Sequence, residues 1–196
     1  MKTTKFELDG NRVRLEPLEL SHLDDLWMVA DEPEMWELAT DIIANKNDLK
    51  QYLERAINDR EKGIAVPFAI RDKISDKIVG STRFGNIDRT NRRTEIGWTW
   101  IGADHRRTYV NTEMKYLMFS YAFDVWKCIR VELKTDVLNM RSRNAMLRIG
   151  AKEEGILRNH IITASGRYRD SIFFSIIESE WPAVRSALES RLKESK

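Results

Sequence analysis

A strand that runs into a basic loop and then into an amphipathic helix restricts this chain more than any other feature. The stretch Glu95-Ile-Gly-Trp-Thr-Trp-Ile-Gly102 has strand character, and the loop that follows reads Asp104-His-Arg-Arg-Thr-Tyr-Val-Asn-Thr112. From Asn111 onward, Met114, Leu117, Met118, Tyr121, Ala122 and Val125 recur at helical spacing, with Glu113 in the first turn. Such a unit turns the unbonded N–H groups and the positive dipole end of a helix toward the loop. That arrangement suits an anion, and phosphate in particular.

At 196 residues, 42% of them hydrophobic and 33% charged, the chain is long enough for one well-buried core and short for two. A single domain over residues 1–196 is expected. The 33 basic and 31 acidic residues are spread along the whole length, which argues against a nucleic-acid-binding face. The one cysteine, Cys128, lies among apolar residues, which excludes an intrachain disulfide and suits a buried thiol in a reducing compartment. Residues 1–10 lack the apolar centre of a signal peptide, and no apolar run approaches the roughly 18 residues of a membrane span. The expected location is the cytoplasm, with no membrane partner. His22, His105, His160 and Cys128 show no metal-ligand spacing, and no phosphate-binding or dinucleotide-binding glycine motif occurs, so no metal and no dinucleotide are expected.

Val13–Pro17 alternates as a strand, and Ser21-His-Leu-Asp24 has capping-box form ahead of Leu23, Leu26, Trp27 and Ala30. Residues 47–62 carry Leu49, Tyr52, Leu53, Ala56 and Ile57 at helical spacing before a C-cap glycine, Gly63. Three strands, 67–71, 77–87 and 93–101, are separated by short turns and read as an antiparallel meander. Simple alternation in the third places Ile96, Trp98 and Trp100 on one face, that of the core, and Glu95, Gly97, Thr99 and Ile101 on the other. After the long helix come a strand over Arg130–Asp136, a short helix over 140–149 and two strands, 151–162 and 170–177, around a turn at Ser165-Gly166. A closing helix capped by Ser179 carries Trp181, Val184, Leu188 and Leu192 on one face. The helical crossover makes the fourth and fifth strands parallel neighbours. The expected architecture is α/β (α+β): a mixed, mostly antiparallel sheet of about seven strands flanked by helices.

Three segments resemble the GCN5-related N-acetyltransferases, and among them the type that acetylates ribosomal-protein alanines. Glu95-Ile-Gly-Trp-Thr-Trp is similar to the family's Glu-hydrophobic-Gly-aromatic strand, and Arg106-Arg-Thr-Tyr-Val-Asn-Thr-Glu113 to its pyrophosphate loop. The run from Asn139 to Arg158 is similar to the family's Asn-x-x-Ser-x-x-x-Leu-x-Arg-x-Gly-Phe-x-x-Glu-Gly pattern, with Asn139, Ser142, Arg148, Gly150, Glu154 and Gly155 in register. The resemblance implies acetyl-CoA as co-substrate and a primary amine, either a protein N-terminus or a small molecule, as acceptor. It implies binding of acetyl-CoA by Trp98, Thr99, Trp100 and Ile101 on the strand. Arg106, Arg107, Thr108, Tyr109, Val110, Asn111 and Thr112 would hold it in the loop and helix start, and Asn139, Ser142 and Arg143 across the gap. The loop departs from the family in carrying Arg107, Tyr109 and Asn111 where small residues are usual, and Arg106 and Arg107 offer guanidinium groups in compensation.

Acetyl transfer needs a polarised carbonyl, a neutral amine and a tolerable leaving group. Backbone N–H groups near Trp98 to Ile101 are candidates for the first. Ser142 stands where relatives carry a serine that assists the thiolate, while the superfamily's more common tyrosine position holds Met146. For the base, the position used by some relatives holds Ile161, which leaves Glu95, Glu154, Asp170 and His160. Glu95 is the preferred candidate because it begins the strand that borders the acetyl group. An α-amine, with a pKa of about 7.7–8.0, needs less help than a lysine at about 10.4. Residues 31–47 are expected to wall the acceptor pocket, with Trp36 as a lining candidate, and a homodimer through a sheet edge or the closing helix is conceivable. A glycine-poor loop and an unassigned base also fit a different class, a non-catalytic acyl-CoA-binding module.

Overall fold

Eight strands build one sheet in the spatial order β1-β2-β3-β4-β5-β6-β8-β7. This computed structural model describes residue 1 and residues 4–194. The strands are β1 (Leu8–Asp9), β2 (Val13–Pro17), β3 (Val66–Asp72), β4 (Lys77–Asp88), β5 (Arg93–Ile101), β6 (Arg130–Asp136), β7 (Lys152–Ile162) and β8 (Tyr168–Ile177). The helices are α1 (Leu23–Ala30), α2 (Pro33–Trp36), α3 (Lys46–Glu61), α4 (Tyr109–Ser120), α5 (Met140–Arg148) and α6 (Trp181–Glu194). All seven expected strands form, and the two-residue β1 adds the eighth by pairing Leu8 with Leu15.

The sheet separates two apolar layers. On one face α4 and α6 pack Met114, Met118, Phe119, Trp181 and Leu188 against Phe68, Phe84, Ile96, Leu133 and Phe174. On the other, α1 and α3 pack Leu26, Leu49, Leu53 and Ala56 against Ala69, Ile78 and Trp100. Each fully buried large side chain contributes about 1.5–3 kcal/mol relative to exposure.

Local details differ from the sequence expectation for identifiable reasons. The chain enters α1 through a 3-10 turn, Leu20–His22, and Glu19 donates its N–H to His22 Nδ1 at 3.1 Å, so the cap lies two residues before Ser21. The long helix leaves α geometry at Tyr121–Val125, where a π turn closes with Trp126 N–H on the Tyr121 carbonyl at 2.9 Å. The wider turn rotates Val125 out of the apolar stripe, and it is exposed.

All strand pairings are antiparallel except β5 with β6, which is parallel as the crossover requires. That pairing covers only Arg93–Arg130, Thr94–Val131 and Glu95–Glu132. Beyond Glu95 and Glu132 the two strands part, and a gap opens inside the sheet toward their C-terminal ends.

The outer strand β7 is tied inward by a charge network. Glu154 accepts from Arg130 Nη1 at 2.6 Å and from the Ser175 hydroxyl at 2.7 Å. The Arg130 hydrogen bonds hold its carboxyl down to about 2, with burial opposing and Ser175 adding to the effect. A carboxyl depressed in the fold stabilises fully above its unfolded value near 4.5 and loses that contribution as pH falls toward about 2. Glu154→Gln is therefore expected to lower the melting temperature at about pH 7, and the difference from the parent protein should shrink toward about pH 2.5. Melting curves at the two pH values measure it, and a pH-independent difference would contradict this assignment.

Candidate active site

The site begins with an irregularity in β5. Opposite it, β4 pairs Ser81 with Trp100 and Arg83 with Gly97, so Thr82 faces both Trp98 and Thr99. This is a β-bulge, and Trp98 takes φ +50° within it, an uncommon conformation for a bulky residue. The extra residue reverses the alternation. Ile96 and Ile101 lie in the α4 layer and Trp100 in the α1/α3 layer, which corrects the expectation that Ile96, Trp98 and Trp100 share a face. Trp98 instead lies beside Arg83, whose guanidinium is 4.9 Å from its ring centre and 5.2 Å from that of Tyr52 on α3.

Glu95 sits at the closed end of the gap and is 3% exposed. Its Oε2 accepts from Lys134 Nζ and from Asn86 Nδ2, each at 2.7 Å. Asn86 reaches it from a second bulge, on β4, where φ is +47°. Oε1 accepts no hydrogen bond from the described residues. A Cβ at Gly97 would stand 2.9 Å from that oxygen, so the glycine keeps the space clear. Around Glu95 lie Lys134, 5.8 Å from the ring centres of Trp98 and Phe173, and His160, whose ring meets Phe173 edge-on at 5.4 Å. Burial, followed by the charges of Lys134 and Arg169, lowers the His160 pKa and keeps its imidazole neutral at pH 7. The other two carboxylate candidates are committed elsewhere: Glu154 to Arg130, and Asp170 to the Asn159 N–H at 2.7 Å.

At the open end of the gap, β5 runs through the basic loop into α4, and β6 runs into α5. Two helix N-termini thus flank the C-terminal ends of the two parallel strands, where α/β sheets receive ligands. In the loop Arg107 takes φ +62°, and Thr108 caps α4 by accepting the Val110 N–H at 3.2 Å. Tyr109 and Asn111 remain as first-turn N–H donors with no intrahelical carbonyl within reach. The side chains divide. Arg106 grips Glu32 through two hydrogen bonds of 2.6 and 2.5 Å and donates Nε–H to the Ile101 carbonyl at 2.8 Å, so its guanidinium secures the loop to the α1–α2 segment. Arg107 is exposed. The Tyr109 hydroxyl donates to Asp72 at 2.5 Å and is pushed up to about 12 by burial and by that carboxylate, which leaves its main chain for the gap. Val110 is buried in the core. Asn111 and Thr112 are half-buried on the first turn.

Across the gap Asn139 caps α5, its Oδ1 accepting the Ser142 N–H at 2.9 Å. Ser142 is half-buried on the first turn. Arg143 Nη1 donates to the Val137 carbonyl at 3.2 Å. Cys128 is fully buried and its thiol is pushed up to about 11 by desolvation, so it is no nucleophile.

Two hollows open on the Glu95 face. One, of about 320 Å³, is bordered by Tyr52, Asp59, Arg83 and Trp98. The other, of about 370 Å³, lies between residues 31–44 and the β7–β8 turn with Thr163 and Ser165. Trp36 borders the latter, but its ring packs on Trp100 and its indole N–H donates to the Ala30 carbonyl at 2.9 Å, so packing is its main task. Sequence reasoning passed over Asn86, Lys134 and Lys115. Lys134 reads as an ordinary polar residue of an alternating strand, and only the register across β5 and β6 places it on Glu95. Among the described residues no helix is long and apolar enough to cross a membrane, and no cluster of three metal-ligating side chains occurs.

Comparison with known proteins gives matches in sequence and in fold. The family model for the acetyltransferase (GNAT) domain matches residues 12–152. The N-acetyltransferase p20 of Bacillus licheniformis, a protein itself uncharacterised, is 29% identical over 173 residues, 87% of this chain and 95% of that protein. A crystal structure of a GCN5-related N-acetyltransferase from Brucella melitensis superposes with a TM-score of 0.90 at 32% identity, covering 98% of this chain and 87% of that one. RimJ of Mycobacterium smegmatis, solved with CoA disulfide, shares the fold with a TM-score of 0.81 at 20% identity, covering 96% of each chain.

Proposed function

Since the chain belongs to the GCN5-related N-acetyltransferase family and is an acetyltransferase, we propose that it transfers the acetyl group of acetyl-CoA directly to a primary amine, a protein N-terminus or a small amine, in a ternary complex. The observation that carries this reading is the gap between β5 and β6, bounded by a bulge, two helix N-termini and a carboxylate with one oxygen that accepts no hydrogen bond from the described residues. The fit to acetyl-CoA rests on those groups. The first turn of α4 and the Arg107 guanidinium supply donors for a diphosphate. The unpaired edges of β5 and β6, with Asn139 Nδ2, supply partners for pantetheine amides. When bound, acetyl-CoA supplies an activated acyl carbon on a leaving group of modest basicity.

The protein's own groups then divide the work. Main-chain N–H groups of Trp98 and Thr99, taken out of the β4 register by the bulge, stabilise negative charge on the carbonyl oxygen. Glu95 accepts a proton from the attacking nitrogen through Oε1, directly or across one water, while Lys134 and Asn86 fix the carboxylate through Oε2. Ser142 offers a hydroxyl to the departing sulfur. The acceptor enters on the Glu95 face, where Trp98, Arg83 and Tyr52 form one wall.

Calorimetric titration with CoA, followed by thiol release from acetyl-CoA with a panel of α-amines, polyamines and amino sugars, tests the reading. Saturable heat below millimolar CoA and amine-dependent thiol release are expected. Heat without thiol release for every amine would favour a non-catalytic acyl-CoA-binding module, and no heat would overturn both.

A further inference from the structure

We infer that Lys115 is a catalytic residue of this reaction, the proton donor to the coenzyme A sulfur as the carbon–sulfur bond breaks. The inference rests on the reading of the β5–β6 gap as the thioester site. Lys115 projects from α4 toward the bulge, and its Nζ donates to the Thr99 hydroxyl at 3.3 Å. The residue is 6% exposed and makes no ion pair among the described residues. An ammonium has three hydrogens to place, and this one meets a single neutral oxygen, itself already 2.8 Å from the Thr82 hydroxyl. Burying a cation without a counter-charge is strongly unfavourable, and a lysine held so beside the β5 bulge is a candidate for a functional role.

The bulge explains what this lysine is placed to reach. Glu95 and Trp98 lie on the α1/α3 side of β5, whereas Thr99, one residue further, lies on the α4 side with Lys115. The gap therefore has a carboxylate on one face and an ammonium on the other. Burial pushes the lysine down to about 7, with Glu95 pulling upward as the charge that acts on it. Glu113, the single acidic residue of α4, is engaged with the main-chain N–H of Arg12 at 2.8 Å. A donor in this range transfers a proton readily to a thiolate of ordinary basicity, about 8.5.

The balance closes without another reactant. The amine nitrogen forms a bond to the acetyl carbon and releases a proton to Glu95. The carbon–sulfur bond breaks with its electron pair on sulfur, and Lys115 supplies that sulfur with a proton. Transfer of the proton on Glu95 to the neutral lysine restores both groups.

The test uses ionisation of the CoA thiol in its complex with the full chain, followed by thiolate absorbance against pH, beside calorimetry and turnover. The parent protein is expected to lower the apparent pKa of bound CoA by about one unit, and Lys115→Met to restore it to the value of free CoA. CoA affinity in that variant should stay within about threefold of the parent, while kcat falls about a hundredfold. Lys115→Arg keeps a cation that does not release its proton, so the thiol shift should persist and turnover should still be lost. A protein that takes up CoA but ionises its thiol identically with and without Lys115, or an arginine variant as active as the parent, overturns the inference alone. A parent protein that takes up no CoA overturns the functional reading, and the inference with it.

Discussion

Replacement of Glu95 by glutamine is expected to lower kcat by about 10²–10³ while leaving CoA affinity close to that of the parent. The size follows from removal of a positioned general base, and the selectivity follows from geometry. Glutamine keeps the shape of the side chain and an oxygen to accept from Lys134 and Asn86, so the closed end of the gap holds together. It cannot accept the proton that the proposed mechanism gives to Oε1. Thiol release under saturating acetyl-CoA and amine measures the effect. Activity within about threefold of the parent would move the role to another group, and His160, neutral at pH 7 and near the same face, would be the first to examine.

The largest expected loss of stability comes from Gly80→Ala. Gly80 lies opposite Ile101, and a Cβ there would stand 2.1 Å from the Trp100 carbonyl oxygen and 3.0 Å from the Ile101 Cα. Neither atom is the end of a flexible side chain, so β4 and β5 must separate. Overpacking of this kind costs about 3 kcal/mol, or about 6–12 °C in melting temperature for a chain of this size. The strain falls where β5 leads into the basic loop, because the Ile101 carbonyl holds Arg106. CoA affinity is therefore expected to fall along with stability. Thermal melts and calorimetry on one preparation would show this, and a melt within about 2 °C of the parent would contradict it.

The outline of the site is legible in the sequence because it is local: strand, basic loop and helix are consecutive, and their patterns survive as α4 and β5. The parallel pairing is legible because a helical crossover leaves few alternatives. What escapes is non-local or breaks a period. The bulge at Trp98 has no glycine or asparagine of its own to announce it, so strict alternation misassigns the faces beyond it. Asn86 and Lys134 act on Glu95 only through register across β4, β5 and β6. Lys115 sits between Met114 and Met118 of the apolar helix stripe, where a lone lysine reads as a solvated edge residue. Arg106 reads as a phosphate ligand until Glu32, 74 residues away, is seen to hold it.

The three-residue contact between β5 and β6 carries one more consequence. Past Glu95 and Glu132, both strands present inward-facing rims of unpaired amides, in the middle of a sheet rather than at its border. An extended guest rich in amides would complete the missing ladder there as an extra strand does. Its arrival should extend the hydrogen bonding between the five-stranded and three-stranded parts beyond the three residues that already join them.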